Sequence, residues 1–173
     1  MKHISLIAVL IISLSACSSV DVSHDSIKST DSIKFKTFNV KAPNNDDSLN
    51  NERISAAIKQ GLVSKGYQFV DNDISDMDAR FDRLFEEDIP SKVNVGVGLG
   101  SVLGAIGASV GASHRLVYDQ ETITISLFDK KSNSVVWKGT ATDEIESNPT
   151  PEQRQAQINK LVHAILETFP ASF

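Results

Sequence analysis

Few residues of this chain could carry out chemistry. It has one cysteine, Cys17, and four histidines, of which only His114 and His163 follow the first 32 residues. Nucleophilic catalysis needs a thiol or hydroxyl beside a base, and a metal site needs several His, Cys, Asp or Glu residues at ligand spacing. His163 stands between apolar neighbours in a predicted helix, where a hydrogen-bonded or exposed histidine is usual. The inventory predicts a protein that is not an enzyme and that has no metal and no cofactor.

Acidic residues offer two other possibilities. Asp71, Asp73, Asp76, Asp78 and Asp82 lie close together, as in a calcium loop. An EF-hand loop that began at Asp71 would need Gly at position 76 and Glu at position 82, and both requirements fail. We therefore expect a solvated acidic turn. A sequence does not show which carboxylates meet in space, so a glycosidase-like pair stays open.

Cys17 can undergo a different reaction, the attachment of lipid. Lys2 precedes an apolar run from Ile4 to Leu14, and Ser15 and Ala16 then lead to the cysteine. This order is typical of a secretory signal, and the run is short for a membrane span. Residues 14–17 resemble the bacterial lipobox, whose cysteine is acylated and becomes the first mature residue. The alternative is a plain signal peptide with an incidental cysteine, which would be a reactive liability in an oxidising compartment.

The lipobox predicts where the protein lives. Residues 1–16 would be the signal peptide, and Cys17 would carry a diacylglyceryl group and an N-linked chain such as palmitate. Each buried methylene contributes about 0.8 kcal/mol, so three chains would make release negligible. Ser18, rather than Asp, follows the cysteine. By analogy with Gram-negative sorting, this favours a lipid anchor in the outer membrane with the domain facing the periplasm.

Charge narrows the set of partners. Without Lys2 the mature chain has 16 basic and 22 acidic residues, a net charge of −6. Nucleic-acid binding needs a basic surface, so that class is disfavoured. The overall negative charge also disfavours docking on anionic lipid headgroups. With no second cysteine, packing alone must hold the fold.

The mature chain divides into two parts. Residues 17–32 are rich in Ser and Asp and predict a lipid anchor with a flexible tether. Val20 and Val22 alternate with polar residues, so a short edge strand is the alternative there. Residues 33–173 predict a single periplasmic domain, with a Gly-rich insert at 93–113.

The domain pattern predicts an α+β fold. Ile33 to Val40 and the region around residues 77–82 are predicted strands, and residues 122–141 alternate as a hairpin. Apolar spacing predicts helices from about Leu49 to Lys65 and from the Thr150 N-cap to Pro170. Each element has one apolar face. We therefore expect two layers, a mostly antiparallel sheet of about four to five strands with two helices packed on one face.

The insert from Val93 to Ser113 contains no charged residue. Three interpretations of the insert remain open. It could be a Gly-rich hairpin or loop packed over the sheet, a surface for self-association or partner docking, or a segment that enters the membrane. Gly100, Gly104, Gly107 and Gly111 form two pairs with four-residue spacing, which permits close helix approach. They are the candidate partner or self-association residues. Each glycine costs up to about 1 kcal/mol in a helix interior, which weakens the helical interpretation.

Four blocks of sequence, together with the lipobox, resemble a known family. They are residues 35–38, residues 54–67, the pair 123–129 and 135–141, and residues 162–170. Their order is similar to that of the bacterial lipoprotein family called domain of unknown function 4136. The charged strand at residues 78–82 departs from that pattern. The family has no assigned activity, so the resemblance implies a fold and a location.

These observations predict a lipid-anchored envelope protein that is not an enzyme. It would bind or scaffold another envelope component, through the open face of its sheet or the Gly-rich insert. The alternative is a carrier of a lipid or other apolar ligand in a pocket between helices and sheet. The sequence does not specify the partner or the oligomeric state.

Overall fold

The computed structural model describes residues 20–26, 35–71, 74–96, 113–145 and 148–172, with only the backbone given for 90–96 and 113–117. Within these residues the chain forms six strands and two helices. In chain order they are β1 (Asp21–Ser26), β2 (Thr37–Lys41), α1 (Ser48–Ser64), β3 (Gln68–Phe69), β4 (Met77–Gly96), β5 (Ser113–Asp129), β6 (Ser134–Ile145) and α2 (Pro151–Glu167).

The predicted α+β class with two helices is confirmed, but the predicted sheet was wrong in two respects. The sheet has six strands in the order β1-β6-β5-β4-β2-β3. It is also mixed, because β2 pairs parallel with both β3 and β4, while the other pairs are antiparallel. The parallel pairs follow from connectivity, since α1 carries the chain back over the sheet after β2.

β1 accounts for one of the additional strands. Asp21 to Ser26 pair antiparallel with Thr142 to Trp137 of β6, so this part of the predicted tether is the edge strand that was kept open as the alternative. Val20 and Val22 pack against the core, and the other side chains of the strand are exposed.

The final helix begins where its capping pattern predicts. The Thr150 side chain accepts a hydrogen bond of 3.3 Å from the Gln153 backbone N–H, and the Gln153 side chain accepts one of 2.7 Å from the Thr150 N–H. Pro151 occupies the first helical position, where its missing N–H costs nothing. Thr168 caps the other end, and Pro170 follows.

The core lies between the helices and one face of the sheet. β5 contributes Ile123, Ile125 and Leu127, all fully buried, in the alternation that predicted a one-sided strand. Trp137 is buried beside Phe169, with ring centroids 5.1 Å apart. The helices add two apolar stripes, formed by Ile54, Ile58 and Leu62 and by Ile158, Leu161, Val162, Ile165 and Leu166.

Gly139 lies under this core at a point where no side chain fits. A Cβ atom there would stand 2.5 Å from the Trp137 ring and 2.7 Å from Ile165 Cγ2. The indole and α2 therefore pack directly on the β6 backbone. None of the helices formed by the described residues combines the length and the apolar character needed to cross a membrane.

Candidate binding surface

β4 and β5 continue well past their neighbours in the sheet. β6 follows β5 only as far as the pair Ile145 and Asp119, and β2 follows β4 only as far as Lys41 and Arg80. Beyond these points, segments 89–96 and 113–118 pair only with each other among the described residues. We call these two segments the arm. A two-stranded ribbon is marginally stable in water, and its outer edges present unpaired N–H and C=O groups.

The arm leaves the sheet through a break in the ladder. The pairing of β4 with β5 shifts register between Glu86 and Ile89, and again between Pro90 and Asn94. Asp88 lies in the first shift with a φ of 56°, and its backbone N–H donates a 3.1 Å hydrogen bond to the Asp119 carboxylate. Bulges of this kind bend a strand pair and raise its twist. The register shifts therefore separate the pairing of the arm from the regular ladder of the sheet.

A buried cluster of charges lies beside the base of the arm. Glu121 of β5 is completely buried and accepts hydrogen bonds of 2.8 and 2.5 Å from the two terminal nitrogens of Arg154. Arg83 of β4 donates a further bond to Glu121 and a 2.6 Å bond to Asp47, the N-cap residue of α1. Asn50 bonds both Asp47 and Arg154. The cluster thus ties both strands to the first turns of both helices.

The cluster offers little for acid–base chemistry. Both oxygens of Glu121 already accept hydrogen bonds from arginine side chains. An adjacent depression of about 420 Å³ opens to solvent, with Arg83, Arg154, Asp88 and Asp119 along its wall. Of the carboxylates there, that of Asp119 accepts the hydrogen bond from the Asp88 backbone N–H. This arrangement is typical of a structural support.

The side of the sheet away from the helices is polar. Across β5 and β6 the hydroxyls of Thr122 and Thr142 lie 2.9 Å apart, and those of Thr124 and Thr140 lie 3.0 Å apart. All four residues are half-buried. Antiparallel sheets commonly leave one such face to water, so this face alone does not indicate a partner.

The acidic stretch predicted as a solvated turn holds two strands together. The Asp76 carboxylate accepts bonds from the backbone N–H groups of Lys36 and Thr37, at 2.9 and 3.0 Å, and from the Thr37 hydroxyl. The Lys36 N–H is the main reason why the pKa of Asp76 lies below its usual value, and the Thr37 bonds lower it further. No group of three His, Cys, Asp or Glu residues among those described could hold a metal ion.

The predicted site residues fall mostly outside the described structure. Cys17, Gly100, Gly104, Gly107 and Gly111 all lie there. The described ends of the insert, residues 93–96 and 113, belong to the two strands of the arm. Trp137 is buried in the core, and His163 is exposed on α2.

The charge cluster was missed, although the sequence contains a signal for it. Glu121 precedes Ile123 by two positions and shares its strand face, Arg83 follows Phe81 in the same way, and Arg154 precedes Ile158 by four positions. Each charged residue therefore extends an apolar register. A charged side chain that points into the core must be paired, so these positions indicate that the glutamate and the two arginines pair with one another.

The sequence Gly107-Ala-Ser109-Val-Gly111 has the Gly-x-Ser-x-Gly spacing of a nucleophile elbow. Ser109 lies outside the described residues. An elbow of that type connects a strand to a helix, whereas this segment connects β4 to β5. The context therefore does not favour a catalytic serine.

Comparison with known proteins gives a family and a fold. A family model described as "Domain of unknown function (DUF4136)" matches residues 22–171. No curated protein matches the chain. Solved structures with a similar fold include two of the PelC dodecamer from Paraburkholderia phytofirmans. One, carrying a single substitution, has a TM-score of 0.53 and 14% identity over 90% of this chain and 100% of that one. The other has a TM-score of 0.51 and 12% identity over 88% of this chain and 99% of that one.

A third similar structure is a PDZ domain protein from Parabacteroides distasonis. Its TM-score is 0.54 at 14% identity, over 87% of this chain and 36% of that one. At these identities the likeness concerns the fold alone.

Proposed function

The chain belongs to the family described as domain of unknown function DUF4136, and we propose that it is a lipid-anchored envelope protein that binds or scaffolds another envelope component and catalyses no reaction. In this proposal Cys17 carries the lipid in the outer membrane. The domain faces the periplasm.

The arm is the observation that carries this proposal. Its two strands run past every other strand of the described sheet. A ribbon of this length gains little from its own pairing, because no third strand from the described part of the chain pairs with it. Contact with another component would cover its edges. A binding function therefore accounts for the arm, whose edges would stay uncovered in an isolated domain.

Two further observations support the proposal. In the buried cluster, Glu121 is hydrogen-bonded to Arg154 and Arg83. Such mutual pairing is better suited to supporting the arm than to transferring a proton. The PelC structures of similar fold are dodecamers, so this fold is compatible with assembly. That second point is an analogy of fold.

The anchor is tested by metabolic labelling with radioactive palmitate. We expect label on the wild-type protein and none on a Cys17→Ser variant, which should also retain its signal peptide. Serine has nearly the volume of cysteine but no thiol to alkylate, so it is a matched control. An unlabelled wild-type protein, with unchanged processing of the variant, would overturn the proposed anchor.

Binding through the arm is tested by photo-crosslinking in intact cells. A photo-reactive amino acid is placed at Val95 in the arm or, as a control, at Ser132, which is exposed in the turn at the other end of β5. We expect the Val95 position to crosslink to an envelope protein or phospholipid well above the Ser132 background. Equal yields at the two positions would remove the support for a binding arm.

The lipid-carrier alternative requires open space between helices and sheet. That space is occupied by fully buried side chains, including Phe38, Trp137 and Phe169. The packing of the described core therefore gives no observation that favours a carrier.

A further inference from the structure

We propose that the outer edge of β4, just before the arm, is a docking site for an extended, basic segment of another protein, which would add a strand to the sheet there. This docking site is separate from the arm that carries the proposed function, and it needs no lipid at Cys17. Its occupant would have apolar side chains at its centre and lysine or arginine on both sides of them.

The outer edge of β4 is left without a neighbouring strand at this point. β2 pairs with β4 only from Met77 to Arg80, and β5 pairs with the other edge of β4. From Phe81 to Asp88, a length of about 25 Å, no strand of the described residues therefore pairs with the outer edge. The unpaired N–H and C=O groups of such an edge are a template for another strand.

Two large apolar side chains are exposed along this edge. Leu84 is 55% exposed and Phe85 is 37% exposed. Successive side chains of a strand point to opposite faces, so Leu84 lies on the open face of the sheet and Phe85 lies on the helix side. Their cross-strand neighbours on β5 are Thr122 and Glu121, which are not apolar. A strand added along the outer edge would give both side chains apolar neighbours.

Acidic residues lie on both sides of this apolar pair. Asp82 and Glu86 share the face of Leu84, and Glu87 and Asp88 follow along the strand. All four acidic side chains are exposed, and within the described residues none of them is close enough to a basic side chain to form an ion pair. The edge therefore combines an apolar centre with unpaired negative charge, which is complementary to a strand that carries basic residues.

Arg83, the basic residue of this segment, does not neutralise these carboxylates. Its guanidinium is bonded to Glu121 and Asp47 on the helix side. Beside it, Phe85 and Glu87 line the open depression of about 420 Å³ at the base of the arm. When a peptide adds a strand to a sheet, main-chain hydrogen bonds supply affinity and pockets for alternate side chains supply specificity. The depression is placed to receive one such side chain.

The same charges argue against two other occupants. The edge strands of the described sheet are β1, which carries Asp21 and Asp25, and β3, which has only two residues. A second copy that paired through β1 would place like charges opposite one another, which is destabilising. Anionic phospholipid headgroups would be repelled as well. Charges on an edge discourage strand pairing in general, so here they select for a strand of the opposite sign.

Binding of a designed peptide tests the docking site. The probe is a fluorescein-labelled peptide, Thr-Lys-Lys-Val-Val-Thr-Lys-Thr, whose two valines face Leu84 and Phe85 when it pairs antiparallel with β4. In the comparison peptide, Glu-Glu replaces the Lys-Lys pair. Fluorescence anisotropy is measured with the purified mature protein in a non-ionic detergent. We expect saturable binding of the basic peptide and about tenfold weaker binding of the comparison peptide.

A charge swap makes the test independent of folding. Glu86→Lys with Glu87→Lys should bind the comparison peptide more tightly than the basic one, a gain that an unfolded variant could not show. Asp71→Lys with Glu167→Lys changes the net charge equally, at two exposed positions outside the edge, and should leave both affinities unchanged. Leu84→Thr keeps the charge and should weaken binding of the basic peptide several-fold, because it removes the apolar contact.

The outcomes distinguish this docking site from the arm. No saturable binding of the basic peptide, or equal binding of the two peptides, would overturn the docking site, and the arm would keep its function if Val95 crosslinked in cells. An unchanged preference in the charge-swap variant would place binding elsewhere on the protein and would also overturn the site. If the peptides behaved as expected and Val95 gave no crosslink, the docking site would stand and the arm would lose its support.

Discussion

Removal of the Glu121 charge is the most direct test of how the domain is held together. The carboxylate is completely buried and accepts two bonds from Arg154, whose side chain is 8% exposed, and one from Arg83, whose side chain is 18% exposed. Glu121→Gln keeps the shape but presents an NH₂ group to an arginine and leaves that guanidinium without its counter-charge. Breaking a buried pair in this way costs about 3–5 kcal/mol. Arg83 keeps its 2.6 Å bond to Asp47, so the lower half of that range is expected.

The assay is urea unfolding followed by fluorescence of Trp137, the only tryptophan, which is buried. Asp47→Asn is the control, because Asp47 is 35% exposed and such a pair is worth less than about 1 kcal/mol. Glu121→Leu combined with Arg154→Leu should recover much of the loss, since apolar replacement of a buried pair is often neutral. A loss below about 1 kcal/mol for Glu121→Gln would refute the interpretation of this cluster as a buried, fully paired charge.

Three other substitutions test the packing, the pH dependence and the helix cap. Gly139→Ala should lower the free energy of unfolding by about 1–3 kcal/mol in urea, because the new Cβ would meet the Trp137 ring. Gly61→Ala is the control. Its Cβ meets only the end of the Leu166 side chain and it gains helix propensity, so its net effect should be much smaller. The pKa of Asp76 is lower in the folded protein than in the unfolded chain, where it is about 3.9. The ionised carboxylate therefore stabilises the fold above that unfolded value, and this stabilisation is lost as the pH falls through the folded pKa. The stability difference between wild type and Asp76→Asn should therefore be largest near neutral pH and shrink in acid unfolding series below about pH 4; a constant difference would contradict this. Thr150→Ala removes the N-cap bond of α2 and should cost about 1 kcal/mol in thermal or urea unfolding, and no change would argue against the capping box.

Where a local signal was strong, the sequence was enough to predict the structure. The alternation of Ile123, Ile125 and Leu127 against threonines predicted the central hairpin, and the Thr150 and Gln153 pattern predicted the start of α2. In both regions a single periodicity or a cap decides the structure, and tertiary contacts agree with it.

The wrong predictions concern segments whose structure depends on pairing with a neighbouring strand. β1 has the sequence Asp-Val-Ser-His-Asp-Ser, which is polar enough to predict a tether, yet the free edge of β6 pairs with it along six residues. β4 was predicted around residues 77–82 but not through Glu86 to Asp88 and Pro90, which interrupt the pattern, yet pairing with β5 continues to Gly96. β-propensity depends on such context more than helix propensity does.

The charge cluster and the arm share one place in the fold, and this explains why the cluster is charged. Arg83 and Glu121 lie on the two strands just before the arm, and Arg154 and Asp47 lie at the starts of the two helices. Apolar contacts are non-directional and would let a strand pair slide or tilt against the helices. A guanidinium fork bonded to a carboxylate has a fixed geometry. Such a network contributes little net stability compared with apolar packing, but it sets the direction in which the two strands leave the domain. Direction matters most at the base of a ribbon about 20 Å long, since a small rotation there displaces its far end by several ångströms.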